Sequence, residues 1–243
     1  MHHVVLEHWS CGASAIHRRD PRAKIAALLV FLVALATAHT ALLWLALALF
    51  LILAGVLRLA RLPVTGALSR SALILPFSLA FAVVSWMAGD PGRALALVLK
   101  SYLSALAVLI VVATTPLPLL LRGLEMMGSP RFLLMVAQFL YRYLFVISEE
   151  AQHMSKAAAA RGASARAVLA HGAGFRAAAG ALAVLFAKSY NRAGQIHRAM
   201  LARGFTGTFH PIGALRFGWG DAVFVALAVL LPALLRIALE RAA

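Results

Sequence analysis

Apolar runs close to the length of a membrane helix alternate with short polar or basic stretches along this chain. Such runs cover 25–38, 41–57, 71–87, 95–113 and 219–237. A helix needs about 20 mainly apolar residues to cross a bilayer, and a helix satisfies all of its backbone hydrogen bonds internally. With 63% hydrophobic residues, the pattern excludes an ordinary soluble domain. It predicts an all-α polytopic membrane protein with about five transmembrane helices.

The placement of positive charge indicates how these helices are oriented. The chain carries 23 Lys and Arg residues and a net charge of +15. They concentrate before residue 25, between Arg58 and Arg70, and between Arg122 and Arg216. Basic loops mark the cytoplasmic side of a membrane protein. We therefore predict a cytoplasmic N-terminus, and we attribute the charge to membrane topology rather than to nucleic-acid binding.

Turn signals divide the apolar first half of the chain. His39 and Thr40 lie between the first two runs and predict a tight hairpin. The stretch from Arg58 to Arg70 predicts a basic loop, and Pro76 is expected to kink the third span. Gly89-Asp90-Pro91-Gly92 is typical of a turn before the fourth span.

The middle of the chain does not have the character of a membrane span throughout. A Leu-rich stretch over 116–127 is suited to the membrane interface. Two long helices are predicted after it, over 131–161 and 175–203. The second has an apolar stripe at helical spacing, made of Leu182, Leu185, Phe186, Ser189, Ala193, Ile196 and Met200.

These observations predict four segments. Residues 1–24 form a cytoplasmic N-terminal segment, and residues 25–115 contain transmembrane helices 1 to 4. Residues 116–218 form a cytoplasmic domain with the interface helix and the two long helices. Residues 219–243 contain the final transmembrane helix.

Each of the two long helices is predicted to end in the same triplet. Ala160-Arg161-Gly162 and Ala202-Arg203-Gly204 lie 42 residues apart, and both read Ala-Arg-Gly. Alanine favours a helix and allows close approach, and arginine offers a planar fork of donors for carboxylates and carbonyl groups. Glycine adopts the left-handed conformation that ends helices. One such triplet is an ordinary helix end, but two matched copies indicate contact with something that occurs in pairs.

Further motifs, taken in order, give the chain a family resemblance. They are Asp20-Pro21-Arg22-Ala23-Lys24, Thr114-Thr115-Pro116, Arg142 followed by Glu149-Glu150-Ala151, and the two Ala-Arg-Gly triplets. With these motifs the chain resembles the transmembrane T component of energy-coupling-factor transporters over nearly its whole length. It is most similar to the Q subunit of cobalt/nickel uptake systems.

The resemblance implies a function and a set of partners. The two long helices would cross in an X as coupling helices, and Ala160-Arg161-Gly162 and Ala202-Arg203-Gly204 would each dock into one subunit of an ATPase pair. The chain would transmit ATPase motion to a separate substrate-binding membrane subunit, for cobalt or nickel uptake across the bacterial inner membrane. ATP and Mg²⁺ would be bound by the ATPases. This chain would bind no cofactor and catalyse no reaction.

Other residues have simpler interpretations. Asp20 and Pro21 are typical of a helix start. Arg142, Glu149 and Glu150 are interpreted as structural ion pairs that hold the two long helices together. No metal site is predicted, since an exposed group of N-terminal histidines is more often solvated surface than a set of metal ligands. These histidines are His2, His3, His8 and His17.

The chain contains no Gly-x-x-x-x-Gly-Lys-Ser/Thr phosphate loop, so ATP is not bound here by that motif.

Three alternative functions remain open at this stage. A T component for vitamin uptake is the nearest alternative function. A stand-alone secondary carrier and a membrane scaffold unrelated to transport are the others, although a carrier usually keeps an ionisable group within a span.

Overall fold

Regular structure in this protein is helical throughout the residues that the computed structural model describes. These residues are 9–10, 12–38, 42–162, 172–207 and 217–242. The helices, in chain order, are α1 (Pro21–Ala36), α2 (Leu42–Leu59), α3 (Val64–Ser71), a short 3-10 helix (Ala72–Ile74), α4 (Leu75–Met87), α5 (Pro91–Thr114), α6 (Leu117–Met126), α7 (Arg131–Ala160), α8 (Gly172–Ala202) and α9 (Trp219–Ala242).

The helices fall into two compact units. Unit 1 consists of Met1–Gly128 and Ala214–Ala243, and unit 2 consists of Ser129–Gly213. Within unit 1, α1 contacts α5, α6 and α9, while α5 also contacts α2, α3 and α4. The core of unit 1 is built from fully buried apolar side chains on these helices, among them Leu35, Leu49, Leu57 and Leu106.

The first helix begins as its sequence predicts. Asp20 is the N-cap of α1, and its side chain accepts a hydrogen bond from the backbone N–H of Arg22 at 2.9 Å. Pro21 occupies the first turn, where its missing N–H costs nothing. At the other end, Nζ of Lys100 on α5 donates to the carbonyl groups of Ala36 (3.0 Å) and Ala38 (2.6 Å). The prediction of a helix start at Asp20-Pro21 is therefore confirmed.

The prediction of a basic loop between Arg58 and Arg70 is wrong. Residues 64–71 form α3, which follows Pro63 as its N-cap residue and buries Ala67 and Ser71. A 3-10 turn then leads into α4, and Pro76 lies in the first turn of that helix. The 3-10 turn and Pro76 thus lie in the middle of the apolar stretch Val64–Met87, and the regular α-helix is interrupted there, as expected for a proline within a span. The predicted hairpin residues His39 and Thr40 lie outside the described residues.

Long apolar helices make this chain a polytopic membrane protein. In the described ranges, Val64–Met87, Pro91–Thr114 and Arg131–Ala160 are long and apolar enough to cross a bilayer. Leu43–Leu59 and Trp219–Leu235 are shorter apolar helices. The outer faces carry large exposed apolar side chains, such as Leu73, Phe77 and Met87, as expected for surfaces that meet lipid. The predicted all-α membrane fold is confirmed.

Unit 2 contains the two long helices. α7 covers the predicted range almost residue for residue, and its apolar N-terminal half gives it the composition of a span. The sequence prediction places this helix outside the membrane because its second half is polar. α8 begins at Gly172, three residues before the predicted start. Gly172 and Gly174 therefore belong to the helix.

Candidate functional site

The C-terminal end of α7 is closed by the first Ala-Arg-Gly triplet. The backbone N–H of Arg161 donates to the carbonyl group of Ala158 at 3.0 Å. The N–H of Gly162 donates to the carbonyl group of Ala159, also at 3.0 Å. Gly162 has a φ of +87°, in the left-handed region that glycine adopts without steric cost. Arg161 is therefore the last residue before the chain turns away from the helix axis.

The end of α8 repeats this geometry at the second triplet. The N–H of Arg203 donates to the carbonyl group of Met200 at 3.0 Å, and that of Gly204 to Leu201 at 2.9 Å. Gly204 has a φ of +77°. The N–H of Phe205 also donates to the carbonyl group of Met200 at 3.0 Å, which completes a Schellman motif. The two arginines thus occupy equivalent positions at equivalent helix ends.

Both triplets lie on the surface of unit 2. All six residues are exposed, namely Ala160, Arg161, Gly162, Ala202, Arg203 and Gly204. Neither guanidinium group of the two arginines forms a hydrogen bond or ion pair with another residue in the described part of the chain. Each is a charged fork of donors available to an external carboxylate or row of carbonyl groups.

An ion pair and an apolar groove connect α7 with α8. Nζ of Lys188 on α8 forms a salt bridge with Oε1 of Glu150 on α7. Glu149 is also expected from the sequence to form an ion pair. Its Oε1 lies 3.7 Å from Nε2 of His153 on the same helix. The guanidinium carbon of Arg142 lies 5.9 Å from the centre of the Tyr143 ring. Among these three predicted residues, Glu150 therefore supplies the charge contact to the second long helix.

The groove between the helices has a volume of about 460 Å³. Five residues of the predicted apolar stripe of α8 line it, namely Leu185, Ser189, Ala193, Ile196 and Met200. From α7 it is lined by apolar side chains that include Met135, Phe139 and Val146. The remaining stripe residues, Leu182 and Phe186, are more than 60% exposed. Unit 2 thus presents a largely apolar surface that continues from the groove to its outside.

Lys24 of the N-terminal motif lies in unit 1 and is buried. It is 2% exposed. Its Nζ donates to the carbonyl oxygen of Thr114 at 2.9 Å and to Oγ1 of Thr115 at 2.7 Å. A longer bond of 3.4 Å reaches the carbonyl oxygen of His17. The lysine therefore joins the start of α1 to the end of α5, where the second family motif lies.

Asp221 is a buried residue that sequence reasoning missed. Its Oδ1 accepts a hydrogen bond from the backbone N–H of Asp20 at 3.2 Å and lies 3.8 Å from Nη1 of Arg19. Its Oδ2 accepts a bond from the N–H of Gly218 at 3.0 Å. An acidic residue in the first turn of an apolar helix was the available signal. Its partner lies 201 residues away, which no local pattern reveals.

Arg22 extends this network to α6. Its Nε lies 3.8 Å from Oδ1 of Asp20, and its Nη2 donates to Sδ of Met126 at 2.6 Å. Beside it, a Cβ atom on Gly123 would lie 3.2 Å from Cβ of Pro21, so glycine permits the close approach of α6 to α1. Asp20, Pro21, Arg22 and Lys24 thus form one structural junction of four helices, α1, α5, α6 and α9.

The histidines provide no metal centre within the described part of the chain. Nε2 of His17 donates to the carbonyl oxygen of Trp9 at 2.9 Å, and its Nδ1 lies 2.7 Å from Oγ of Ser14. His2, His3 and His8 lie outside the described residues. No three metal-ligating side chains come together in the ranges that are described.

Comparison with known proteins places the chain in a family. Residues 12–212 match the model of the family CbiQ, described as cobalt transport protein. The match spans most of the chain, including the junction around Lys24 and both Ala-Arg-Gly triplets. No curated protein matches the chain. Its long apolar helices agree with the family assignment. The chain therefore belongs to the CbiQ cobalt transport protein family and is a membrane component of cobalt transport.

Proposed function

We propose that this chain is the transmembrane coupling subunit of an energy-coupling-factor importer. In this proposal it transmits the motion of two ATPase subunits to a separate membrane subunit that binds cobalt or nickel. It acts mechanically and catalyses no reaction, while ATP and Mg²⁺ are bound by the ATPases. The inner membrane of a bacterium, with the N-terminus in the cytoplasm, is the expected location.

The observation that carries the proposal is the equivalence of the two helix ends. Arg161 and Arg203 follow the last residue of α7 and of α8, and each is followed by a left-handed glycine. Both guanidinium groups are exposed and unpaired among the described residues. Two equivalent charged ends suit a partner that presents two equivalent sites, such as an ATPase dimer.

The contacts between α7 and α8 allow these two helices to move relative to each other. The salt bridge between Glu150 and Lys188 and the apolar groove lie between α7 and α8. An exposed ion pair and a partly open groove hold two helices less firmly than a filled core does. When the ATPases close, the helix ends move, and α7 and α8 change their relative position. The exposed apolar side chains of unit 2 then bind the substrate-binding subunit differently in the two states, as coupling requires.

The junction around Lys24 gives unit 1 a fixed arrangement. Lys24, Asp20 and Asp221 are all buried and hydrogen-bonded to groups on other elements. Oδ2 of Asp20 and Nε of Arg22 have no hydrogen-bond partner among the described residues. The bonds that are made still favour one packing arrangement, because breaking them would leave more buried groups unpaired. In the proposal, unit 1 is the rigid membrane base of the subunit, and unit 2 carries the motion.

The composition of the purified complex tests the proposal. The chain is co-expressed with a candidate ATPase and a candidate metal-binding membrane subunit, and the components that co-purify are quantified. We expect two ATPase subunits per chain. Arg161→Ala with Arg203→Ala should remove the ATPase while the chain remains in the membrane. Arg176→Ala with Arg198→Ala, two exposed arginines elsewhere on α8, is the matched control and should retain it.

Uptake measurements separate the alternative functions. Cobalt uptake into proteoliposomes that contain this chain alone, without nucleotide, would contradict the coupling role and support a secondary carrier. ATP-dependent uptake of a vitamin, but not of cobalt, by the intact complex would support the vitamin alternative. A complex that retains its ATPases after loss of both arginines would contradict the docking role of the triplets.

A further inference from the structure

Three arginines line one cavity at the end of α2. The cavity has a volume of about 560 Å³ and is lined by Arg18, Arg58 and Arg61 together with Leu59 and the short segment Ala13–Ala15. Arg18 comes from the segment before α1, and the other two come from the end of α2, about 40 positions later. The fold therefore brings like charges together from separate parts of the chain.

No acidic group compensates these charges within the described ranges. None of the three arginines forms a salt bridge or a side-chain hydrogen bond with another described residue. All three are exposed. Like charges on the lining of one cavity repel each other, and the repulsion is relieved when an anion binds between them. The lining therefore has the charge and the donors of an anion site.

The backbone at Arg61 supports this interpretation. The N–H of Leu62 donates to the carbonyl group of Leu57 at 3.2 Å, and that of Arg61 to Arg58 at 3.0 Å, so α2 ends in a Schellman motif. Arg61 occupies its left-handed position with a φ of +55°, and among the described residues no other non-glycine has a positive φ. The equivalent left-handed position at the ends of α4, α6, α7 and α8 is glycine: Gly89, Gly128, Gly162 and Gly204.

A side chain at this position has a steric cost that glycine avoids. Attraction between a cation and the negative end of the helix explains an arginine near the end of α2. Arg58, in the last turn of the helix, already supplies that interaction without strain. Attraction to the helix end therefore does not explain why Arg61 occupies the left-handed position. It also does not explain why Arg18, from another segment, lines the same cavity. A ligand that needs all three guanidinium groups explains both.

We propose that Arg18, Arg58 and Arg61 bind the phosphate group of an anionic phospholipid. Guanidinium groups suit phosphate oxygens, which they bind in pairs of hydrogen bonds. Leu59 lines the same cavity and is 70% exposed, so an apolar surface adjoins the charged one, as the boundary of headgroup and acyl chain requires. Basic pockets beside transmembrane helices on the cytoplasmic side bind anionic headgroups in this way. The proposal does not depend on the coupling function.

The experiment uses the purified full-length chain in a neutral detergent. Its melting temperature and its bound lipids, measured by native mass spectrometry, are followed while phosphatidylglycerol or phosphatidylcholine is added. Inorganic phosphate and glycerol 3-phosphate at matched concentrations test a soluble source. We expect saturable binding and a higher melting temperature with phosphatidylglycerol only. Arg18→Gln and Arg58→Gln should each weaken this binding about five-fold, while Arg176→Gln on α8 should not change it.

Arg61→Gly separates a ligand role from a structural one. Glycine removes the strain, so the lipid-free melting temperature should not fall, and binding of phosphatidylglycerol should still weaken about five-fold. Unchanged affinity in this variant would overturn the proposal. Equal binding of both phospholipids would overturn it as well. Equal stabilisation by glycerol 3-phosphate and by phosphatidylglycerol would show that the site binds a soluble phosphate. It would contradict the proposal that the ligand is a phospholipid.

Discussion

Nζ of Lys24 lies 2.7 Å from Oγ1 of Thr115, although the two residues are 91 positions apart in the chain. The same ammonium group donates to the carbonyl oxygen of Thr114 at the end of α5. Two motifs that are separate in the sequence, Asp20 to Lys24 and Thr114 to Pro116, are therefore parts of one buried junction. Their shared role is to join the first helix of unit 1 to its long central helix.

Replacing Lys24 tests this junction. In Lys24→Met the aliphatic stem keeps its packing, but the carbonyl oxygen of Thr114 and the hydroxyl of Thr115 lose a buried donor. Groups left unsatisfied in this way cost about 1–3 kcal/mol each. We expect the free energy of unfolding to fall by about 3 kcal/mol, measured by thermal unfolding in detergent. Lys156→Met, at an exposed position on α7, should change it little, and an equal effect of both variants would contradict the assignment.

Replacing Asp221 should lower the free energy of unfolding more than replacing Asp90, a more exposed aspartate at the start of another helix. Asp221→Ala removes the acceptor of the buried Asp20 N–H and that of the Gly218 N–H, which lies at an exposed position. We expect a loss of about 1–3 kcal/mol, mainly from the unsatisfied Asp20 donor. Asp90 also starts a helix, but its side chain is 48% exposed. Asp90→Ala should cost about 1 kcal/mol, as the loss of an N-cap does. Chemical or thermal unfolding of both variants gives the comparison, and a larger effect at Asp90 would refute it.

The glycines that end α7 and α8 are expected to be intolerant of a side chain for backbone reasons alone. A Cβ atom on Gly162 or Gly204 would meet nothing within 4 Å, yet both residues have a positive φ. Alanine in that conformation costs about 1–2 kcal/mol, which should open the last turn and misplace the preceding arginine. Transport by the complex should fall in Gly162→Ala and Gly204→Ala. Gly180→Ala and Gly194→Ala, equally unobstructed but with ordinary helical φ, should transport normally.

The salt bridge between Glu150 and Lys188 offers a test of communication between the long helices. Both side chains are partly exposed, so we expect no measurable change in melting temperature when either is replaced by alanine. Glu150→Lys and Lys188→Glu should each reduce ATP-driven uptake, because like charges then face each other across α7 and α8. The double exchange should recover uptake. If it is no better than the single variants, the pair does not couple the helices.

Much of this architecture could be predicted because it depends on local signals. The start of α1 follows from Asp20-Pro21, and the ends of α7 and α8 follow from Gly162 and Gly204, which only need their own neighbours in sequence. The short helix α3 was missed because Pro63 and Gly66 are typical of a loop. Its helical state depends on the burial of Ala67 and Ser71 against the rest of unit 1.

The buried polar contacts could not be predicted from local pattern. Asp221 accepts a hydrogen bond from the N–H of Asp20, which lies 201 positions away in the chain. The acceptors of Lys24 lie 90 and 91 positions away, at Thr114 and Thr115. Such pairs are set by which helix ends meet in three dimensions, and hydropathy contains no information on that. The cluster of Arg18, Arg58 and Arg61 is of the same kind, since separately they are typical topology charges.

ATP-dependent cobalt uptake by the reconstituted complex tests the central claim most directly. The intact chain, the Arg161→Ala with Arg203→Ala variant and the Arg176→Ala with Arg198→Ala control are each reconstituted with the same ATPase pair and metal-binding subunit. The account predicts uptake by the intact chain and by the control, and none above background by the variant without the two helix-end arginines. Normal ATP-dependent uptake by that variant would contradict it.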